Sequence, residues 1–125
     1  MTKKILIVAD DAGQRRVVRG ILEPLGTILE ASTGKDALRL VAAEKPELML
    51  LDVVMTEMDV PSIVRAARFL DPVLLIVMLT GEHVIETAKR ALYDGTNAYI
   101  KKPFDPEGLR DEVRRLFIKE EKCRN

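Results

Sequence analysis

The chain has 125 residues, 47% hydrophobic and 32% charged, with 20 basic and 20 acidic side chains and a formal net charge of +0. That length suits one domain rather than two, and the balanced charge offers no overall field for nucleic acid or an anionic membrane, so partners must be recognised locally. Cys123 is the single cysteine, which excludes an intramolecular disulfide and a cysteine zinc site and suits a reducing, cytoplasmic setting.

Along the chain, short apolar runs alternate with longer segments of helical period. Residues 4–9 read as a strand, and the apolar stretch from Ile5 to Ala9 is too short for a signal segment or a membrane span. A helix is expected over 12–25, bent near Pro24 and stopped at Gly26. Residues 27–31 form the next strand. The helix over 34–44 carries Ala37, Leu38, Val41 and Ala42 as its buried stripe. Strands follow at 48–53 and 73–79, flanking a helix at 61–69. Both are apolar at successive positions, as strands covered on two faces of a parallel sheet must be. A helix over 84–93 closes near Gly95, residues 98–101 form the fifth strand, and a last helix spans 106–119. Asp105 is placed to cap that helix, Pro106 stands at its first position, and Leu109, Val113, Leu116 and Phe117 line one side. Five strands and five helices in alternation predict an α/β fold, a doubly wound five-stranded parallel sheet in one domain over residues 1–120. Residues 121–125 read as a polar tail or the start of a linker.

In such sheets functional groups gather beyond the carboxyl ends of the strands. Those ends carry Asp10 and Asp11, Asp52, Thr80, and Lys102 before Pro103. Carboxylates converging from separate strands repel each other unless a cation stands between them, and hard oxygen ligands in this number suit Mg²⁺ with retained waters. Asp52 ends the most apolar central run, as a rigidly held nucleophile should. A phosphoryl group on it needs its oxygens neutralised by a metal, an amine and a hydroxyl, and Lys102 and Thr80 supply the last two.

The segments Ile5-Leu-Ile-Val-Ala-Asp-Asp11, Leu50-Leu-Asp-Val-Val-Met55 with Met58-Asp59, Met78-Leu-Thr-Gly81 and Tyr99-Ile-Lys-Lys-Pro-Phe104 resemble, in order and spacing, the four motif blocks of response-regulator receiver domains of two-component signalling. The resemblance implies the flavodoxin-like receiver fold. It also implies phosphoryl transfer from a histidine kinase or phosphotransfer protein to Asp52, with Mg²⁺ bound by Asp10, Asp52 and the Val54 carbonyl. Thr80 would bond the phosphoryl group, Lys102 would pair with it through a cis Lys102-Pro103 linkage, and Tyr99 would follow Thr80 as the switch. The face formed by the last two helices and the strand between them would change, with homodimerisation through the last helix as one outcome. Such a protein is a signalling switch, catalysing only its own phosphorylation and dephosphorylation.

Several residues depart from that pattern. Aligned without gaps, the family's acidic pair falls on Ala9 and Asp10, so the first acid is missing; Asp11 is a possible substitute, although a regular strand turns it to the side opposite Asp10. Weaker Mg²⁺ binding is expected, tightened by an Asp at position 9. Thr56, Val60 and Gly81 replace the family's common Pro, Gly and Ala, and Val54 and Glu82 occupy the variable positions beside the phosphoryl group. A pseudo-receiver that docks partners without phosphorylation is the alternative that Ala9 motivates. A cofactor binder or small phosphatase is disfavoured, because Asp10-Asp11-Ala12-Gly13 stands where a Gly-rich phosphate loop would be. His83 and the arginines Arg15, Arg16, Arg19, Arg110, Arg114 and Arg115 read as solvated residues, and the interleaved Glu107, Asp111 and Glu112 argue against a nucleic-acid patch.

Overall fold

The computed structural model describes residues 3–52, 60–80 and 95–124. In chain order these form β1 (Lys3–Val8), α1 (Ala12–Leu22) running into a 3₁₀ turn (Glu23–Leu25), β2 (Gly26–Ala31), α2 (Gly34–Glu44), β3 (Leu48–Asp52), α3 (Val60–Leu70), β4 (Leu75–Thr80), β5 (Ala98–Lys101) and α4 (Pro106–Arg124). All strand pairs are parallel and the order is β2-β1-β3-β4-β5. This is the doubly wound sheet expected from the alternation. The helix expected over 84–93 lies outside the described residues.

Alternation along each strand builds two cores. Leu6, Val8, Met49, Leu51, Ile76 and Met78 face α2 and α3. Their neighbours Ile5, Ile7, Leu48, Leu50, Val77 and Leu79 face α1 and α4. Two-sided burial is why Ile5–Val8 of β1, Leu48–Leu51 of β3 and Leu75–Leu79 of β4 are apolar at every step, each buried side chain contributing about 1.5–3 kcal/mol. On α4 the buried side is Leu109, Val113, Leu116 and Phe117, as its spacing predicts, and Asp105 caps it by accepting from the Gly108 N–H at 3.2 Å.

The differences lie at element ends. Pro24 changes the form of the first helix: α1 stops at Leu22 and the chain tightens into a 3₁₀ turn with Pro24 in its first residues. Gly26 stops the 3₁₀ turn as its C-cap, donating its N–H to the Glu23 carbonyl, and opens β2 with extended backbone; its glycine is required by crowding, since a Cβ there would meet the Lys3 carbonyl oxygen at 2.3 Å. The stripe of α2 runs through Gly34, Ala37 and Val41, leaving Ala42 exposed, because 3.6-residue periodicity carries position 42 past the contact with the sheet. Val73 sits in a turn, its N–H donating to Asp71 Oδ1 at 3.0 Å, so β4 starts two residues later than the apolar run. The last helix continues to Arg124, past the end expected at 119.

One cation ties the lower edge of the sheet together. Arg68, at the end of α3, donates through Nη1 to the carbonyls of Pro72 at 2.8 Å and Leu74 at 2.6 Å, and through Nη2 to the Gly95 carbonyl at 2.6 Å and Asn97 Oδ1 at 3.1 Å. Asn97 in turn accepts from the Ile76 N–H through Oδ1 at 2.8 Å and donates its own N–H to the Ile76 carbonyl. Burial pushes the Arg68 guanidinium down, against a smaller opposing pull from Asp71. Arg68 thus fixes the segment that enters β5, and β5 delivers Lys102 to the opposite rim. Replacing it strands several part-buried carbonyls, so Arg68→Met should cost about 2–4 kcal/mol in urea unfolding while leaving the circular dichroism of the folded protein unchanged. A loss below half a kilocalorie would show that these bonds are idle.

Candidate functional site

Strand order reverses between β1 and β3, where a doubly wound sheet opens its crevice. Asp10 follows β1 and Asp52 ends β3, so both stand at that point. Asp52 is only 3% exposed and shares its strand face with Leu48 and Leu50, on the side of α1 and α4. A carboxylate at that depth requires a compensating partner. Lys102 supplies one: its Nζ lies 3.0 Å from Asp52 Oδ1, donating a charge-assisted hydrogen bond. Since β4 stands between β3 and β5, the lysine stem has to cross the end of β4, where Thr80 closes the strand one residue beyond Leu79, the register partner of Asp52. The Lys102-Pro103 bond is cis, as the resemblance implies.

Three of the four groups expected at the rim therefore occupy strand ends on the same edge. The Thr80 side chain, Val54, Glu82 and His83 lie outside the described residues. Tyr99 pairs in register with Met78 and is 39% exposed; its neighbours Ala98 and Ile100 pack on the α1 and α4 side, so the ring turns to the other face. Asp11 is the N-cap of α1, accepting from the Gly13 N–H at 3.2 Å. Its carboxylate is thus taken up by the helix terminus.

Ala9 marks the main departure. The register that pairs Val8 with Leu51 sets Ala9 beside Asp52 when extended by one step, and Ala9 is 2% exposed. Its N–H donates to the Ala31 carbonyl at 3.1 Å, continuing the sheet. Its carbonyl accepts from Arg15 Nη1 at 2.7 Å, and Arg15 Nε bonds Glu30 Oε1 at 3.2 Å. Arg19 also pairs with Glu30, and its hydrogen bonds to Glu30 and then Glu23 raise its pKa. Arg15 is thus a part-buried structural cation rather than a solvated helix residue, while Arg19 reaches the same glutamate from a half-exposed position. By contrast Arg114 and Arg115 pair on the surface with Asp111 and Glu112.

Among the described residues no three His, Cys, Asp or Glu side chains stand together as a metal cluster. Asp10 and Asp52 offer two carboxylates, a donor set that fits a hard cation keeping most of its ligands as water, such as Mg²⁺. Among the described residues no helix is long and apolar enough to cross a membrane.

A model of the family described as "Response regulator receiver domain" matches residues 5–114. The chain is 29% identical over 118 residues to sporulation initiation phosphotransferase F of Bacillus subtilis, covering 94% of this chain and 95% of that protein. It is 33% identical over 118 residues to response regulator MprA of Mycolicibacterium vanbaalenii, covering 94% of this chain but 51% of that protein. The chain spans about half the length of most of the curated relatives it matches. Its fold superposes with a TM-score of 0.91 on a CheY-like receiver domain protein from Methanospirillum hungatei, 29% identical and covering 98% of each chain. NtrX from Brucella abortus gives a TM-score of 0.91 at 28% identity, covering 99% of this chain and 28% of that one.

Losing the ammonium leaves a buried carboxylate short of its partner, whereas losing both groups does not. A double-mutant cycle of Asp52→Asn and Lys102→Met, followed by urea unfolding, should therefore give a favourable coupling of about 1–3 kcal/mol. Additive effects would mean that the two groups do not interact in solution.

Proposed function

The chain belongs to the response regulator receiver domain family, and from that premise we propose that it is a phosphorylation-driven switch whose acceptor is Asp52. Receiver domains are signalling switches that work with histidine kinases or phosphotransfer proteins. In the proposed reaction an Asp52 carboxylate oxygen forms a bond to phosphorus while the phosphorus–nitrogen bond of a donor phosphohistidine breaks, the electron pair leaving on the imidazole. The observation that carries this reading is the buried Asp52 carboxylate held 3.0 Å from the Lys102 ammonium. The bond orients the nucleophile and keeps a positive charge where the phosphoryl oxygens arrive, and such electrostatic positioning is most of what phosphoryl transfer needs.

Mg²⁺, held by Asp10, Asp52 and the Val54 carbonyl, would neutralise phosphoryl oxygens. Thr80 would donate its hydroxyl to the phosphoryl group, and Tyr99 would report that contact to the face bearing β5 and the last helix. Homodimerisation through that helix is the proposed output of the domain alone; contact with nucleic acid or membrane is not part of the proposal. The protein acts in the cytoplasm and turns over no separate substrate. Asp11, which caps α1, is not assigned to the metal in this reading.

Incubation with acetyl phosphate and Mg²⁺ should add the mass of one phosphoryl group, and Asp52→Asn should abolish the gain. An unchanged mass in the wild type would favour the pseudo-receiver, a docking module that does not cycle phosphate. A gain that survives in Asp52→Asn would place the acceptor elsewhere.

A further inference from the structure

The turn between β1 and α1 holds one acid in a fixed frame, and its meaning rests on the phosphoryl-accepting, ion-binding reading above. Asp10 stands exposed at the rim between two residues whose main chain is committed. Before it, Ala9 donates its N–H to the Ala31 carbonyl at 3.1 Å, and its carbonyl accepts from Arg15 Nη1 at 2.7 Å. After it, the Asp11 carbonyl accepts the Arg15 N–H at 3.0 Å, and the Asp11 side chain caps α1 by accepting from the Gly13 N–H. Arg15 thus holds the carbonyls on both sides of Asp10, one with its side chain and one with its main chain.

The guanidinium is itself fixed. Its Nε bonds Glu30 Oε1 at 3.2 Å, its side chain is 19% exposed, and Glu30 is gripped a second time from α1 by Arg19. A planar fork bonded at two of its nitrogens has little freedom left. The peptide joining Ala9 to Asp10 is also planar, so the bond that aims the Ala9 carbonyl sets the plane that carries the N–H and Cα of Asp10. Ala9 brings no carboxylate and that of Asp11 is engaged at the helix terminus, so Asp10 is the acid that this turn offers alongside Asp52. Mg²⁺ tolerates little error in its ligands, demanding near-octahedral geometry at about 2.0–2.1 Å. Groups that orient such a ligand therefore govern affinity almost as strongly as the ligand does.

We infer that Arg15 is a positioning residue of the phosphoryl site: through the Ala9 carbonyl, and braced by Glu30, it aims the Asp10 carboxylate at the ion. Its charge and its geometry pull in opposite directions. A cation near the rim repels a divalent ion, so deleting it would tighten binding if charge were all it contributed. Deleting a group that orients Asp10 loosens binding instead.

Mn²⁺ binding to the resting full chain, counted from the free-ion signal in electron paramagnetic resonance, separates the two on protein that circular dichroism shows to be folded. Arg15→Met should weaken Mn²⁺ binding about tenfold. Arg15→Lys, which keeps the charge but not the two-headed fork, should fall between Arg15→Met and the wild type. An arginine that only stabilised the fold would lower the urea midpoint when replaced and leave the affinity alone. A folded Arg15→Met protein that binds as tightly as the wild type, or more tightly, would therefore overturn the inference, as would a wild type that takes up no ion. If Arg15→Met does not fold, Arg15→Lys decides: weakened binding upholds the inference and wild-type affinity overturns it. Acetyl phosphate labelling of wild-type Asp52 reads the proposed function separately. Labelling with unchanged ion affinity in the variants sinks only this inference, and absent labelling sinks the reading beneath it.

Discussion

A carboxylate at the end of a central, fully covered strand is costly unless its charge is met, and in this chain the ammonium of Lys102 meets it from two strands away. Much of the architecture can be understood as what that contact requires. Asp52 is carried to the rim by β3, whose five residues are all buried, so its position is set by packing on both faces. Lys102 is carried there by β5, an outer strand whose pairing with β4 fixes its register. At the far end, Arg68 and Asn97 fasten the chain just before β5, so the strand that delivers the lysine is anchored where it begins.

The same constraint orders the chemistry. Bringing acids together from separate strands is the usual reason for a cation at such a rim, and here the β1 register sets Ala9 rather than an acid beside Asp52.

Most of the fold was legible in the sequence because a strand covered on two faces is apolar at successive steps, as Ile5–Val8, Leu48–Leu51 and Leu75–Leu79 are. The buried side of α4 was equally plain from Leu109, Val113, Leu116 and Phe117. Errors fell where local chemistry competes with periodicity. Pro24 converts the end of α1 to a 3₁₀ turn, and the Asp71 side chain holds Val73 in a turn although its apolar character suits a strand. The Asp52–Lys102 pair and the place of Asp10 after β1 were legible because each of these residues follows or ends an identifiable strand. The roles of Arg15 and Arg68 could not, since an arginine on an amphipathic helix reads the same whether its guanidinium meets water or main-chain carbonyls. Only the tertiary position of Glu30 and of the loops around β4 and β5 tells the two apart.

The acceptor itself is most directly identified by chemical trapping. An aspartyl phosphate is an acyl phosphate, and borohydride reduces it to a homoserine residue that peptide mass spectrometry can locate. After labelling with acetyl phosphate and Mg²⁺, the account predicts homoserine at position 52 and at no other. Homoserine at position 10 or 11, with Asp52 recovered intact, would contradict it.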